Sequence, residues 1–137
     1  MLRFLPVSML AILFLPGCGG PPVDLVPVRG TVTFEDGTVP QGAVAKIYFE
    51  PVQDGPQAIR KVASGDIGPD GRFELMPRRP GDGVIPGEYK VFFAVEQTYE
   101  GRQSLLSARY TNVEQTPFEV TVEPRRNPPF DFELERH

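Results

Sequence analysis

One cysteine, one histidine and a scatter of carboxylates, serines and tyrosines are the residues of this chain that could do chemistry. The cysteine, Cys18, has no second thiol to pair with, and a thiolate zinc site needs several ligands, so an intrachain disulfide and a metal–thiolate centre are both excluded. The histidine is His137, the last residue of the sequence, and is expected to be a frayed end, not a ligand or a base. Asp66, Asp70 and Asp82, with Glu88, are the oxygen ligands calcium takes, yet their spacing matches no EF-hand loop, and acids beside glycines commonly form turns. Ser64, Ser104 and Ser107 have no partner base to activate them. Arg78-Arg79 and Arg125-Arg126 could meet phosphate or a carboxylate polymer, but read more simply as solvated loop charge. Tyr48, Tyr99 and Tyr110 are the candidates for an aromatic sugar-binding face; the simpler expectation is half-burial on a sheet with the hydroxyl wet. An isopeptide crosslink would need a core lysine near an asparagine and an acid. The first strand has no lysine, and Asn127 lies between Arg126 and Pro128. No catalytic residue, no metal site and no cofactor are therefore expected.

What surrounds Cys18 points to a different chemistry. Arg3 supplies a positive start, and Phe4 to Leu15 form an apolar run interrupted by Pro6 and Ser8. That run is shorter than the roughly 20 residues a membrane-spanning helix takes, and it suits the core of a signal peptide. The stretch Leu15-Pro16-Gly17-Cys18 resembles the lipobox of bacterial lipoproteins: an aliphatic residue, two small ones, then a cysteine. The resemblance implies cleavage between Gly17 and Cys18 and a diacylglycerol on the Cys18 sulfur. Two or three acyl chains, at about 0.8 kcal/mol per buried CH₂, hold a protein to a bilayer far more firmly than one. An exported free thiol would be awkward in an oxidising compartment, and acylation removes it. Gly19 follows the cysteine where the usual inner-membrane retention signal has an acid, and the choice of inner or outer membrane is left open. The expected organisation is a signal peptide over 1–17, a lipid-attached Gly/Pro tether over 18–25, and one folded domain over 26–137.

Charge narrows the partners. The formal net charge is −4, and loss of the leading segment, which holds Arg3 and no acid, makes it slightly more negative. Such a surface argues against nucleic acid, which needs clustered Lys and Arg, and does not favour anionic headgroups. It is well suited to solubility.

The domain must be built from strands. Sixteen prolines and fourteen glycines interrupt any helix, each costing about 1–3 kcal/mol in a helix interior. Period-two alternation begins at Val26, with Val26, Val28, Val32 and Phe34 on one face and Pro27, Arg29, Thr31, Thr33 and Glu35 on the other. The turn Glu35-Asp36-Gly37 follows. Ala45, Ile47 and Phe49 then alternate up to Pro51. A weaker strand is expected over Arg60 to Asp66, and Pro69-Asp70-Gly71 turns the chain into Arg72-Phe73-Glu74-Leu75. Pro86-Gly87 leads into a strand with Tyr89, Val91, Phe93 and Val95 on one face and Phe92 and Ala94 on the other, which suits a central strand. Phe118, Val120 and Val122 alternate, as do Phe130, Phe132 and Leu134, the last run expected deep in the core. Gly101 to Ala108 is the one stretch where a helix is possible, and it could equally be a loop. About seven short strands, each with one apolar face, predict a single two-layer, all-β sandwich.

The order of motifs adds a resemblance. Val28-x-Gly30-x-Val32, Gly37-x-Val39-Pro40-x-Gly42-Ala43-x-Ala45, Gly71-Arg72-Phe73 and Pro86-Gly87-x-Tyr89-x-Val91 together resemble the carboxypeptidase regulatory-like domain, a transthyretin-like (prealbumin-like) β-sandwich. The likeness covers roughly Val26 to Val95. The remainder is similar to the C-terminal half of small lipoproteins of planctomycete-type bacteria. Transthyretin-like proteins include hydroxyisourate hydrolases, which use histidines, an arginine and a C-terminal Tyr-Arg-Gly-Ser. This chain has no internal histidine and ends in Leu134-Glu135-Arg136-His137. The expectation is a non-catalytic structural or protein-interaction module in the cell envelope, with an envelope protein as partner; the alternative is a module binding a small ligand, cation or carbohydrate. The segment from Glu96 to Pro117, the longest without clear periodicity, is where a contact is expected.

Overall fold

Alternation decides the outcome along nearly all of the chain whose structure is described, namely residues 25–52, 61–75, 83–101 and 103–136 of a computed structural model. Gly17, Cys18, Arg60, Arg78, Arg79, Asp82 and His137 lie outside the described residues. The elements are β1 (Arg29–Phe34), β2 (Val44–Pro51), β3 (Ala63–Asp66), β4 (Arg72–Glu74), β5 (Gly87–Glu96), one helical turn α1 (Ala108–Thr111), β6 (Phe118–Val122) and β7 (Phe130–Leu134). They form two sheets, of order β4-β1-β7 and β3-β2-β5-β6. The fold is an all-β sandwich of seven strands.

Every pairing is antiparallel except β1 with β7, which run side by side in the same direction from Gly30↔Phe130 to Phe34↔Leu134. The inward faces meet in one core. Val28, Val32, Ile47, Phe49, Tyr89, Val91, Phe93, Val95 and Leu134 are wholly buried in it. Phe132 ties the layers together: its ring lies 6.2 Å from Phe49, 6.1 Å from Phe73, 5.8 Å from Phe93 and 5.2 Å from Phe118, centroid to centroid. β5 is central in its sheet, and on its outer face Phe92 stacks on Tyr48 at 5.0 Å and 11°.

Local chemistry sets the turns. Gly71 has φ +82°, the left-handed conformation that a Pro-Asp-Gly turn demands and other residues resist. Ahead of β5, the Tyr89 hydroxyl donates 2.6 Å to the carbonyl of Ile85, tying the Pro86-Gly87 turn to the strand it feeds. Gly30 is needed for a different reason. A Cβ there would fall 1.7 Å from the Phe130 carbonyl oxygen, because β7 crosses β1 at that residue with no room for a side chain.

Two expectations are corrected, and one left open is decided. The first ladder begins at Arg29, while Val26 makes only an isolated bridge to Val84. Of the two readings open for Gly101 to Ala108, the described residues before Ala108 take the loop: Gly101 has φ +68°, and the Gln97 and Leu105 amides bond back to Gln103 and Val95, so the chain doubles over β5. The helical turn comes later, at α1. Phe130 is only half-buried, unlike Phe132 and Leu134, because β7 ends its sheet.

A clasp joins the two ends of the fold. Arg136 lies over the Phe34 ring at 4.5 Å, donates from Nε to Asp36 at 2.9 Å and from a terminal nitrogen to Thr38 at 2.6 Å. Hydrogen bonds from the Thr38 hydroxyl and Thr38 N–H, then from Arg136, hold the Asp36 carboxyl at about 2, against an ordinary 3.8. A carboxyl depressed on folding contributes stability that is present above its unfolded value and lost as pH falls toward its folded one. The clasp should therefore act fully above about pH 4 and fade between about pH 4 and 2. Carbon-detected NMR titration should place Asp36 near 2 in the native chain and nearer the ordinary carboxylate range in Thr38→Val.

Candidate functional site

The residues singled out in the sequence do not converge. Asp66 bonds Lys46 at 2.8 Å, and that bond holds the Lys46 ammonium above its usual range. Asp70 accepts from the Arg72 amide at 3.1 Å inside its turn, with the Arg72 Nε at 3.7 Å. Each of these two carboxylates faces a cation of its own. Among the described residues no three His, Cys, Asp or Glu side chains stand together. Ser104 exchanges its hydroxyl with the backbone of Leu106, locking a local turn. The tyrosines do not make one exposed face. Tyr110 is buried, Tyr48 is half-buried against Phe92, and Tyr99 is 85% exposed at a loop tip.

Much of the segment between Glu96 and Pro117 is occupied in closing the core. Leu106 and Tyr110 are both buried. The Tyr110 ring stacks on Phe118 at 5.9 Å and 18°, and its hydroxyl accepts the Glu135 amide at 3.1 Å. Arg109 covers the same ring at 4.8 Å and pairs with Glu135 at 3.0 Å. Thr116 donates to the Val91 carbonyl and accepts from Phe118 N–H, pinning the approach to β6.

Two surface features remain. The first is a groove of about 740 Å³ where β3 meets β4, lined among others by Arg29, Thr31, Lys46, Ser64, Asp66 and Arg72. Its charges answer one another: Lys46 bonds Asp66, and Arg29 stands opposite Glu74 in the ladder. The two sheets are in backbone contact here, since a Cβ on Gly65 would lie 2.3 Å from the Glu74 carbonyl.

The second is the opposite side of the sandwich, bounded by edge strands β6 and β7. Three strands oppose four. With β3 against β4 at one side, the shortfall falls at the other, beside β7 and across from β6. The inward residues Phe118 and Val120 of β6 and Phe130 of β7 are accordingly only half-buried, whereas their counterparts on β5 are wholly enclosed. Tyr110 fills the upper end of the gap. At the lower end the Asn127 side-chain amide takes both backbone groups of Glu123, accepting from its N–H at 2.7 Å and donating to its carbonyl at 3.1 Å, as a neighbouring strand would. Both open edges are thus blunted at one end by a side chain, a protection against uncontrolled strand pairing. Sequence reasoning missed Tyr110 and Asn127 in these roles, and the only available signal for Asn127 was its place beside a strand end and Pro128.

No protein-family model, curated protein or solved structure matches this chain.

Proposed function

We propose that this protein is a cell-envelope lipoprotein, held to a membrane through acylated Cys18, whose sandwich is a non-catalytic structural or protein-interaction module of the carboxypeptidase regulatory-like, transthyretin-like type. The observation that carries the reading is the position of the one cysteine, behind an apolar run and a small residue and a few residues before the described domain begins at Leu25. The shape of the domain suits an anchored module. Val26 bridges Val84 at the entry to β5, whereas the loop bearing Tyr99 leaves the far end of that ten-residue strand. At about 3.3 Å per residue the two lie roughly 30 Å apart, so the tether joins at one pole and presents the other away from the bilayer.

The test is the thiol itself. The mature protein should partition into the detergent phase and show an acylated Cys18 as its first residue by mass spectrometry, with Gly17 removed. Cys18→Ser should move it to the aqueous phase with its fold intact by circular dichroism. A wild-type protein that stays aqueous with an unmodified thiol would sink the reading.

A second reading is favoured by the β3–β4 groove, whose volume lies within the roughly 300–1,000 Å³ of small-molecule sites. A ligand of the native state must raise the melting temperature by mass action. A thermal-shift screen against divalent cations and oligosaccharides distinguishes this binding module from the interaction module.

A further inference from the structure

We infer that the open side of the sandwich receives an extended segment of another protein, one in which apolar and basic residues alternate, added as a fourth strand along β7. This rests on the interaction-module reading and specifies the edge and the partner chemistry.

The backbone of β7 sets the docking line. The Leu134 carbonyl accepts from Glu35 N–H at 3.0 Å, so Leu134, and with it Phe132 and Phe130, turns its backbone groups toward β1. Alternation turns the amides and carbonyls of Asp131, Glu133 and Glu135 outward. Tyr110 already satisfies Glu135. The groups of Asp131 and Glu133 are left on the open edge, a stretch of about 10 Å from Phe130 to Glu133 at 3.3 Å per residue. A strand placed there lies across from β6, and its inward side chains cover Phe118, Val120 and Phe130, the inner-face residues left half-buried.

Charge selects the occupant. Asp131, which also accepts the Thr31 hydroxyl at 2.7 Å, and Glu133 lie on the outer face of this edge, and β7 carries no lysine or arginine; Glu119 lies on the other sheet's outer face, opposite Lys90 of β5. A second copy of this chain pairing edge to edge would set Asp131 and Glu133 against their own counterparts, and like charges directly opposite are destabilising. Lys or Arg at alternate positions of a foreign strand meets them favourably, while the intervening residues enter the apolar gap. Main-chain bonds supply affinity and alternate side chains supply specificity, as in other strand additions.

The experiment uses the intact protein in neutral detergent micelles and three eight-residue peptides, alternating Val with Lys, Val with Ser and Val with Glu. The Val/Lys peptide should bind at least tenfold more tightly than the other two and slow amide exchange at Asp131 and Glu133. Binding should fall at least tenfold in the double variant Asp131→Lys, Glu133→Lys, which changes only exposed side chains of β7. It should also fall in Glu133→Pro, which removes an outward N–H and leaves the β1 ladder intact, a setting in which an edge strand tolerates proline. If Glu133→Pro fails to fold, the charge-reversed variant carries the test. Equal affinity for the Val/Lys and Val/Ser peptides, protection confined to β3 or β4, or binding unchanged by charge reversal would overturn the inference. A native envelope partner held equally well by wild type and the charge-reversed variant would remove this edge while leaving the module reading in place. A Cys18→Ser protein that stays with the membrane would strike the anchor instead.

Discussion

Phe132→Ala should destabilise the domain by about 3–5 kcal/mol, the range for removing a buried phenylalanine. That is a large part of the roughly 5–15 kcal/mol that holds a small domain together. The cost is at the upper end because the ring touches Phe49, Phe73, Phe93 and Phe118, which come from β2, β4, β5 and β6, and no single neighbour can move to fill the hole. Urea unfolding followed by tyrosine fluorescence should show the midpoint falling sharply or the transition disappearing. Deleting the chain from Phe130 onward removes Phe132 and Leu134 together and should abolish cooperative melting. A truncated chain that still melts cooperatively would show that β7 is dispensable, contrary to its position in the core.

Gly30→Ala should cost at least about 3 kcal/mol, although alanine is the smallest possible addition. Overpacking usually costs about 1–3 kcal/mol because side chains can shift aside. Here the obstacle is backbone: the added methyl would lie 1.7 Å from the Phe130 carbonyl oxygen, with the Phe130 carbonyl carbon at 2.6 Å and its nitrogen at 2.8 Å. Relief requires β7 to move off β1, which disrupts a ladder that runs as far as Phe34↔Leu134. Gly37→Ala is the control. Its new Cβ meets nothing within 4 Å, and its penalty comes only from a φ of +83°. Equal melting temperatures for the two variants would refute the steric explanation.

The strands were legible in the sequence wherever one face is apolar and the other polar. Val26 to Phe34 and Tyr89 to Val95 place every inward residue correctly, since a one-residue slip would expose the whole set. Which strand crowds Gly30 was not legible, since its partner Phe130 lies one hundred residues further along the chain. Strand order was not legible, because alternation reports a face and says nothing of neighbours. The gap beside β7 therefore could not be read, nor could the half-exposure of Phe118 and Val120 that follows from it. Half-burial is the expectation for Tyr110, and its full burial was not legible because its partners, the Glu135 amide and the Phe118 ring, come later in the chain. The acids of the last two strands were visible as the outward half of two alternating runs. Those of β6 and of β7 fall on the two opposite outer faces of the sandwich, which alternation alone does not reveal.

The parallel pairing of β1 with β7 has a consequence for the order of events in folding. Thr31 bonds Asp131 across one hundred residues of chain, and Arg136 reaches Asp36 over the same interval. Contacts this distant along the polymer place the protein among slow folders, on the millisecond-to-second scale of all-β topologies. The smaller sheet stays incomplete until the final strand is available, so a chain lacking β7 has only the β1–β4 pair to set against the larger sheet.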